Sequence, residues 1–145
     1  TLSLHDALPI CLTVIMPGKV KRNLQSLVVA QAAVTALVSA FGDSMLKFRL
    51  RDLPTGYEAY LVTQLSNEEA KKETCRIEDT HPLGRLFDLD VIDADGVPMS
   101  RESVGLSPRK CLVCDNEARY CMRNRTHTMG ELTAKIDEMI ESYVR

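Results

Sequence analysis

Between Leu86 and Ile92 the chain alternates apolar and acidic residues, with Phe87, Leu89 and Val91 set against Asp88 and Asp90. A β-strand sends successive side chains to opposite faces, so it sorts this pattern into two chemically distinct surfaces. The apolar trio then faces a core, and the two carboxylates share the other face, roughly 6.6 Å apart along the strand. Two carboxylates so placed can grip a divalent cation, or a cation bridged to phosphates. The plain alternative is a solvated strand face, although aspartate is disfavoured in strands. Just ahead, Gly84 supplies a tight turn and Arg85 a bidentate phosphate donor. An ion pair with Asp88 or Glu78 is the competing role for Arg85. His81 precedes Pro82, which favours extended backbone, and reads as a local cap or turn residue, a substrate contact or a general base. Lys21 lies near a helix N-terminus, where backbone N–H groups favour anions. Gly18 and Gly56 read as turn glycines that also let a nucleotide approach closely.

Cysteine spacing is the second signal. Cys111 and Cys114 are two residues apart, the tight turn that brings two thiolates to one tetrahedral ion, and Cys121 and His127 follow within reach. Metal binding commonly organises short irregular segments of this kind. Three readings stay open: a structural Zn²⁺ site, buried thiols acting as small hydrophobes, and a redox pair at Cys111 and Cys114. The redox reading is weakened by the lack of a thioredoxin-like context. Cys11 and Cys75 fall inside predicted elements and are expected in the core.

Composition narrows the class. At 145 residues one compact domain is expected. A net charge of −2 gives no electrostatic case for a nucleic-acid partner. An odd count of five cysteines argues against a disulfide framework and for a reducing cytoplasm. No membrane span is expected, because no apolar run approaches the roughly 20 residues required. The first fifteen residues lack a basic start and make a poor signal peptide.

Read along its length, the chain alternates strands and helices. A strand is expected over 11–16, followed by a helix from Leu24 to about Phe41 capped by Asn23. Strands over 44–51 and 57–65 form a hairpin about Pro54-Thr55-Gly56. Ser66 starts a helix reaching about Glu78, the aspartate strand follows, and 97–125 reads as irregular. Thr128 to Val144 closes the chain as an amphipathic helix with Leu132, Ile136, Met139, Ile140 and Val144 on its apolar side. The expected fold is α+β, a small and mostly antiparallel sheet with packed helices.

These motifs, in this order, resemble a known family. His81-Pro-Leu-Gly-Arg-Leu-Phe-Asp-Leu-Asp-Val91 is similar to the signature of citrate lyase holo-acyl-carrier-protein synthase, or apo-citrate lyase phosphoribosyl-dephospho-CoA transferase. Pro17-Gly18-Lys19-Val20-Lys21, Thr55-Gly56, the Pro108–Cys114 run, and then Ala118, Cys121, Arg123 and His127 extend the likeness over about residues 11 to 142. The resemblance implies a nucleotidyltransferase-like domain over 11–145, preceded by a foreign or artefactual segment at 1–10. It also implies an additional N-terminal segment that the family carries. The implied donor is 2′-(5″-triphosphoribosyl)-3′-dephospho-CoA. The implied acceptor is a serine of the acyl-carrier (gamma) subunit of citrate lyase, with pyrophosphate released. Asp88 and Asp90 would hold Mg²⁺, and Arg85, with Lys21, would meet the departing pyrophosphate. The carrier subunit of malonate decarboxylase is the alternative acceptor, although the sequence resembles the citrate lyase branch of the synthases more closely, especially across Cys111 to His127. A zinc-stabilised module that binds a carrier protein without chemistry is the alternative of a different class.

Overall fold

The computed structural model describes residues 8–15 and 23–145; Gly18 and Lys21 therefore lie outside the described residues. Its elements run β1 (Leu8–Val14), α1 (Leu24–Phe41), β2 (Met45–Leu53), β3 (Gly56–Thr63), α2 (Asn67–Thr80), β4 (Phe87–Val91), α3 (Ala118–Asn124) and α4 (Met129–Val144). The fold is α+β, as expected. The sheet order is β2-β3-β1-β4 with every pairing antiparallel, so β4 is an edge strand on β1. β1 begins three residues earlier than expected, taking Leu8, Pro9 and Ile10 into pairing with β3, and it ends at Val14.

One sheet face is the core face. Ile10 and Leu12, Ala59 and Leu61, and Phe87, Leu89 and Val91 are all buried there. Helices cover them through Val29, Ala33, Leu37 and Phe41 of α1, Ala70 and Ile77 of α2, and Ile136 and Ile140 of α4. Each large apolar side chain so buried contributes roughly 1.5–3 kcal/mol. Asn23 caps α1 reciprocally with Ser26, each side chain accepting the other's backbone N–H at 2.8 Å.

Four local expectations need correction. Leu24–Ser44 is long and apolar enough to cross a membrane by length and composition alone, although its buried residues form the core's central helix stripe. The sequence alternation of 44–51, which would set Met45, Lys47 and Arg49 against Leu46, Phe48 and Leu50, does not hold in β2, because an irregularity between Met45 and Lys47 turns Met45 and Phe48 toward the core and leaves Leu46 and Leu50 exposed. The stretch after residue 97 contains the short helix α3. On α4, Ile136 and Ile140 are buried whereas Val144 is exposed, since the helix end runs past the sheet.

Gly84 opens a 3-10 turn, Gly84–Leu86, that leads into β4 and sits against the end of α2. A Cβ there would press on the Glu78 carbonyl oxygen and lie 2.7 Å from the Ile77 carbonyl oxygen, both backbone atoms of a helix that cannot give way. Its glycine is therefore a packing requirement between helix and strand. Gly84→Ala is expected to destabilise the protein by about 1–3 kcal/mol, read as a lower midpoint in urea unfolding. An unchanged midpoint would contradict the close approach.

Candidate active site on the edge strand

β4 presents Asp88 and Asp90 on the face opposite the core, as its alternation requires. Asp88 lies across from Thr13 on β1, whose hydroxyl donates to its Oδ2 at 3.3 Å, and Asp90 lies across from Cys11. The same sheet face continues through Glu58 and Tyr60 on β3 to Arg51 and Arg49 on β2. The Tyr60 hydroxyl donates to Glu58 at 2.9 Å. Burial pushes the Asp90 carboxyl above the ordinary aspartate range and the Asp88 charge adds to that, with Lys71 and Arg109 pulling the other way. Burial likewise raises the Cys11 thiol, helped by Asp90 and Glu58. A half-buried carboxyl whose ionisation a neighbouring carboxylate opposes is one that a cation would relieve.

The outer edge of β4 is closed by Glu78 of α2. Its carboxylate accepts the Leu89 backbone N–H at 3.0 Å, the donor an edge strand would otherwise leave unpaired. Arg101 donates to Glu78 at 2.8 Å and also reaches Asp79 at 3.0 Å. Arg109 contacts Glu78 at 3.3 Å and donates to the Gly84 carbonyl at 2.8 Å. This network frames a cleft of about 310 Å³ whose walls include Asp88, Asp90, Lys71, Arg101, Arg109 and Arg119. With Asp88 and Asp90 on its strand side and Lys71 and three arginines, paired to Glu78 and Glu102, around them, the cleft holds both the carboxylates for a metal and the cations for phosphate oxygens. An open furrow of about 480 Å³ along α4, lined by Asp137, Glu138, Glu141 and Arg145 among others, brings no such pairing together.

The predicted residues divide. Asp88 and Asp90 converge as expected. Arg85 lies in the turn just before β4 and does not line the cleft. Neither competing ion pair forms, because Glu78 is taken by Arg101 and Arg109, and Asp88 by Thr13. Instead its Nε is buried with no hydrogen-bond partner among the described residues. Gly84 serves packing and lends its carbonyl to Arg109. His81 ends α2: its Nδ1 accepts the Leu83 N–H at 2.9 Å, and its ring stacks near Phe87 and Tyr143 at 4.9 and 5.6 Å. Burial lowers its pKa, and it stands among core-side rings rather than in the cleft.

Sequence reasoning missed Lys71, Glu78, Arg101 and Arg109. A signal existed: Lys71, Thr74, Cys75 and Glu78 recur at three- and four-residue spacing and are all buried on α2, a polar stripe where a core stripe belongs.

The second constellation also converges. One ligand atom from each of Cys111, Cys114, Cys121 and His127 lies within 4.8 Å of all the others. Cys11 is only half-buried, whereas Cys75 is a core residue as expected. The Cys114 thiol is lowered to about 7, first by the Asn116 N–H and then by His127. Cys121 is pushed up to about 11 by burial and by its cysteine neighbours.

The family model for apo-citrate lyase phosphoribosyl-dephospho-CoA transferase matches residues 2–143, reaching into the first ten residues. A Vibrio cholerae serotype O1 (strain M66-2) protein named "Probable apo-citrate lyase phosphoribosyl-dephospho-CoA transferase" is 42% identical over 143 residues, covering 96% of this chain and 80% of that protein. A protein of the same name from Streptococcus pyogenes serotype M18 (strain MGAS8232) is 35% identical over 135 residues, covering 90% of this chain and 70% of its own length.

Proposed function

The chain belongs to the apo-citrate lyase phosphoribosyl-dephospho-CoA transferase family, and on that premise we propose that it moves the 2′-(5″-phosphoribosyl)-3′-dephospho-CoA group from its triphosphate precursor to a serine hydroxyl of the acyl-carrier (gamma) subunit of citrate lyase. The serine oxygen forms a bond to the α-phosphorus, the α–β phosphoanhydride bond breaks, and pyrophosphate leaves. The observation that carries this reading is the pair Asp88 and Asp90 on an edge strand beside a cleft with a cationic rim. Paired aspartates on a sheet edge are also what a nucleotidyltransferase-like domain calls for.

The donor set fits a hard cation: two carboxylates on one strand face, with oxygen atoms alone. Asp88 and Asp90 would hold Mg²⁺, which when bound supplies charge neutralisation for the triphosphate. Around them the chain's own cations have separate tasks. Lys71 and Arg109 stand on the cleft wall, where they meet phosphate oxygens. Glu78 holds Arg101 and Arg109 in place. With five free cysteines, the reading carries a cytoplasmic location.

The test is intact-mass analysis of apo carrier subunit incubated with this protein, the triphosphoribosyl donor and Mg²⁺. The expected result is a mass gain equal to the phosphoribosyl-dephospho-CoA group, faster on the citrate lyase carrier than on the malonate decarboxylase carrier. Preference for the latter would reassign the acceptor. No gain on either from a folded sample would overturn the transferase reading.

A further inference from the structure

The segment 108–127 builds much of the cleft wall, supplying Pro108, Arg109, Ala118, Arg119 and Met122, yet it has little to hold it in shape. Its regular structure amounts to one isolated bridge, Lys110 with Glu117, and the seven-residue α3. A helix of two turns is marginal by itself. What converges inside the segment is four ligand side chains.

We propose that Cys111, Cys114, Cys121 and His127 bind one Zn²⁺ in a closed structural site, and that this ion holds the arginine-bearing wall of the cleft. The geometry suits such an ion. Tetrahedral zinc with Zn–S near 2.3 Å and Zn–N near 2.1 Å puts its ligand atoms roughly 3.7 Å apart. Here Cys114 Sγ lies 3.5 Å from Cys121 Sγ and 3.4 Å from His127 Nε2. A backbone donor is aimed at one of the sulfurs: the Val113 N–H points at Cys111 Sγ at 3.4 Å. Amide hydrogens directed at sulfur favour thiolates, the form that binds metal. On the far side of the imidazole, Glu131 lies 3.7 Å from His127 Nδ1, where a carboxylate orients a ligating histidine. Glu131 also caps α4 by accepting the Thr128 N–H at 3.1 Å.

Binding balances simply: the three thiols release their protons and the histidine ligates as a neutral ring, leaving three thiolates and one imidazole on a dication. All four positions are then protein ligands, so the ion has no open site for chemistry. It joins three pieces the chain leaves loosely connected: the 110–117 turn, α3, and the start of α4. Arg109 precedes the first ligand by two residues, and its guanidinium reaches Glu78 and the Gly84 carbonyl. Zinc therefore positions Arg109 and Arg119 without touching substrate, and the site stands whether or not the transferase reading does.

The test uses the full chain kept under a phosphine reductant. Elemental analysis of protein purified without added metal is expected to give about one zinc per chain. Co²⁺ exchanged into the site is expected to show the visible ligand-field bands of a tetrahedral thiolate centre. Cys114→Ser and Cys121→Ser should lose the metal, whereas Cys11→Ser should keep it. If the ligand variants fail to fold, His127→Cys, which preserves four ligands, should still bind zinc. Hydrogen exchange compares the wild type with and without a strong chelator. The amides of Cys111, Ala118 and Thr126, which bond to Asn116, Arg109 and Cys121, are expected to exchange about tenfold or more faster without metal, and the α2 amides to change little. Folded protein that neither contains nor takes up zinc overturns the proposal, as does a Cys114–Cys121 disulfide in its place. Equal exchange in both states overturns the positioning role.

Discussion

Asp88→Asn and Asp90→Asn are each expected to lower the rate of group transfer about a thousandfold, roughly 4 kcal/mol of barrier, while leaving the melting temperature unchanged or slightly raised. The sign on stability follows from electrostatics. Burial and the Asp88 charge hold the Asp90 carboxyl above its unfolded value. In the absence of bound cation, its ionised form therefore costs stability at neutral pH, and an uncharged amide of the same shape removes that cost. A site whose removal costs rate but not stability is a functional site rather than a structural one. Measuring turnover and thermal melting on the same samples decides it. A variant that keeps near wild-type rate would remove the aspartates from the mechanism. A large drop in melting temperature would recast them as structural.

Glu78 should behave in the opposite way. It is 5% exposed at its side chain, paired to Arg101 at 2.8 Å and Arg109 at 3.3 Å, with Arg101 itself only 9% exposed. Glu78→Ala takes from Arg101 its buried partner, leaving only the half-exposed Asp79, takes from Arg109 its carboxylate, and leaves the Leu89 N–H without its acceptor, so a loss of about 3–5 kcal/mol is expected. Glu78→Gln, which keeps an acceptor for Leu89, should lose less. Urea unfolding at neutral pH provides the measurement, and a loss below about 1 kcal/mol for the alanine variant would show that water or another acid replaces the carboxylate. Since Arg109 lines the cleft, residual activity in the glutamine variant should fall as well, through a raised KM.

These two predictions mark what sequence reading reaches. Asp88 and Asp90 were legible because strand alternation acts over a few residues and displays its chemistry directly. The cysteine set was legible as a spacing, but the choice among zinc, buried thiols and redox chemistry was not. Cys121 and His127 come to Cys114 only once α3 and the turn after it have formed. Arg85 shows the reverse failure. Both of its simple ion-pair partners were named, and neither forms, because Arg101 and Arg109 arrive at Glu78 from 23 and 31 residues away. His81 and Gly84 sit inside the most suggestive motif in the chain, yet the first caps a helix among aromatic rings and the second admits a close backbone approach. Motif membership did not distinguish them from the aspartates; packing did.

The sequence by itself determined the local frame: the inward and outward faces of β4, the caps at Asn23, Ser66 and Thr128, the hairpin of β2 and β3, and the ligand types available to a metal. Each depends on side chains within a helical turn or a strand pair of one another, where geometry follows from the chain's own period. Only the tertiary structure decided that Lys71 is buried beside Asp90, that Glu78 closes the sheet edge, and that two distant arginines meet there. Those choices hang on the paths of long connections and on desolvation, which no local pattern encodes. A buried charge goes to whichever partner the fold delivers.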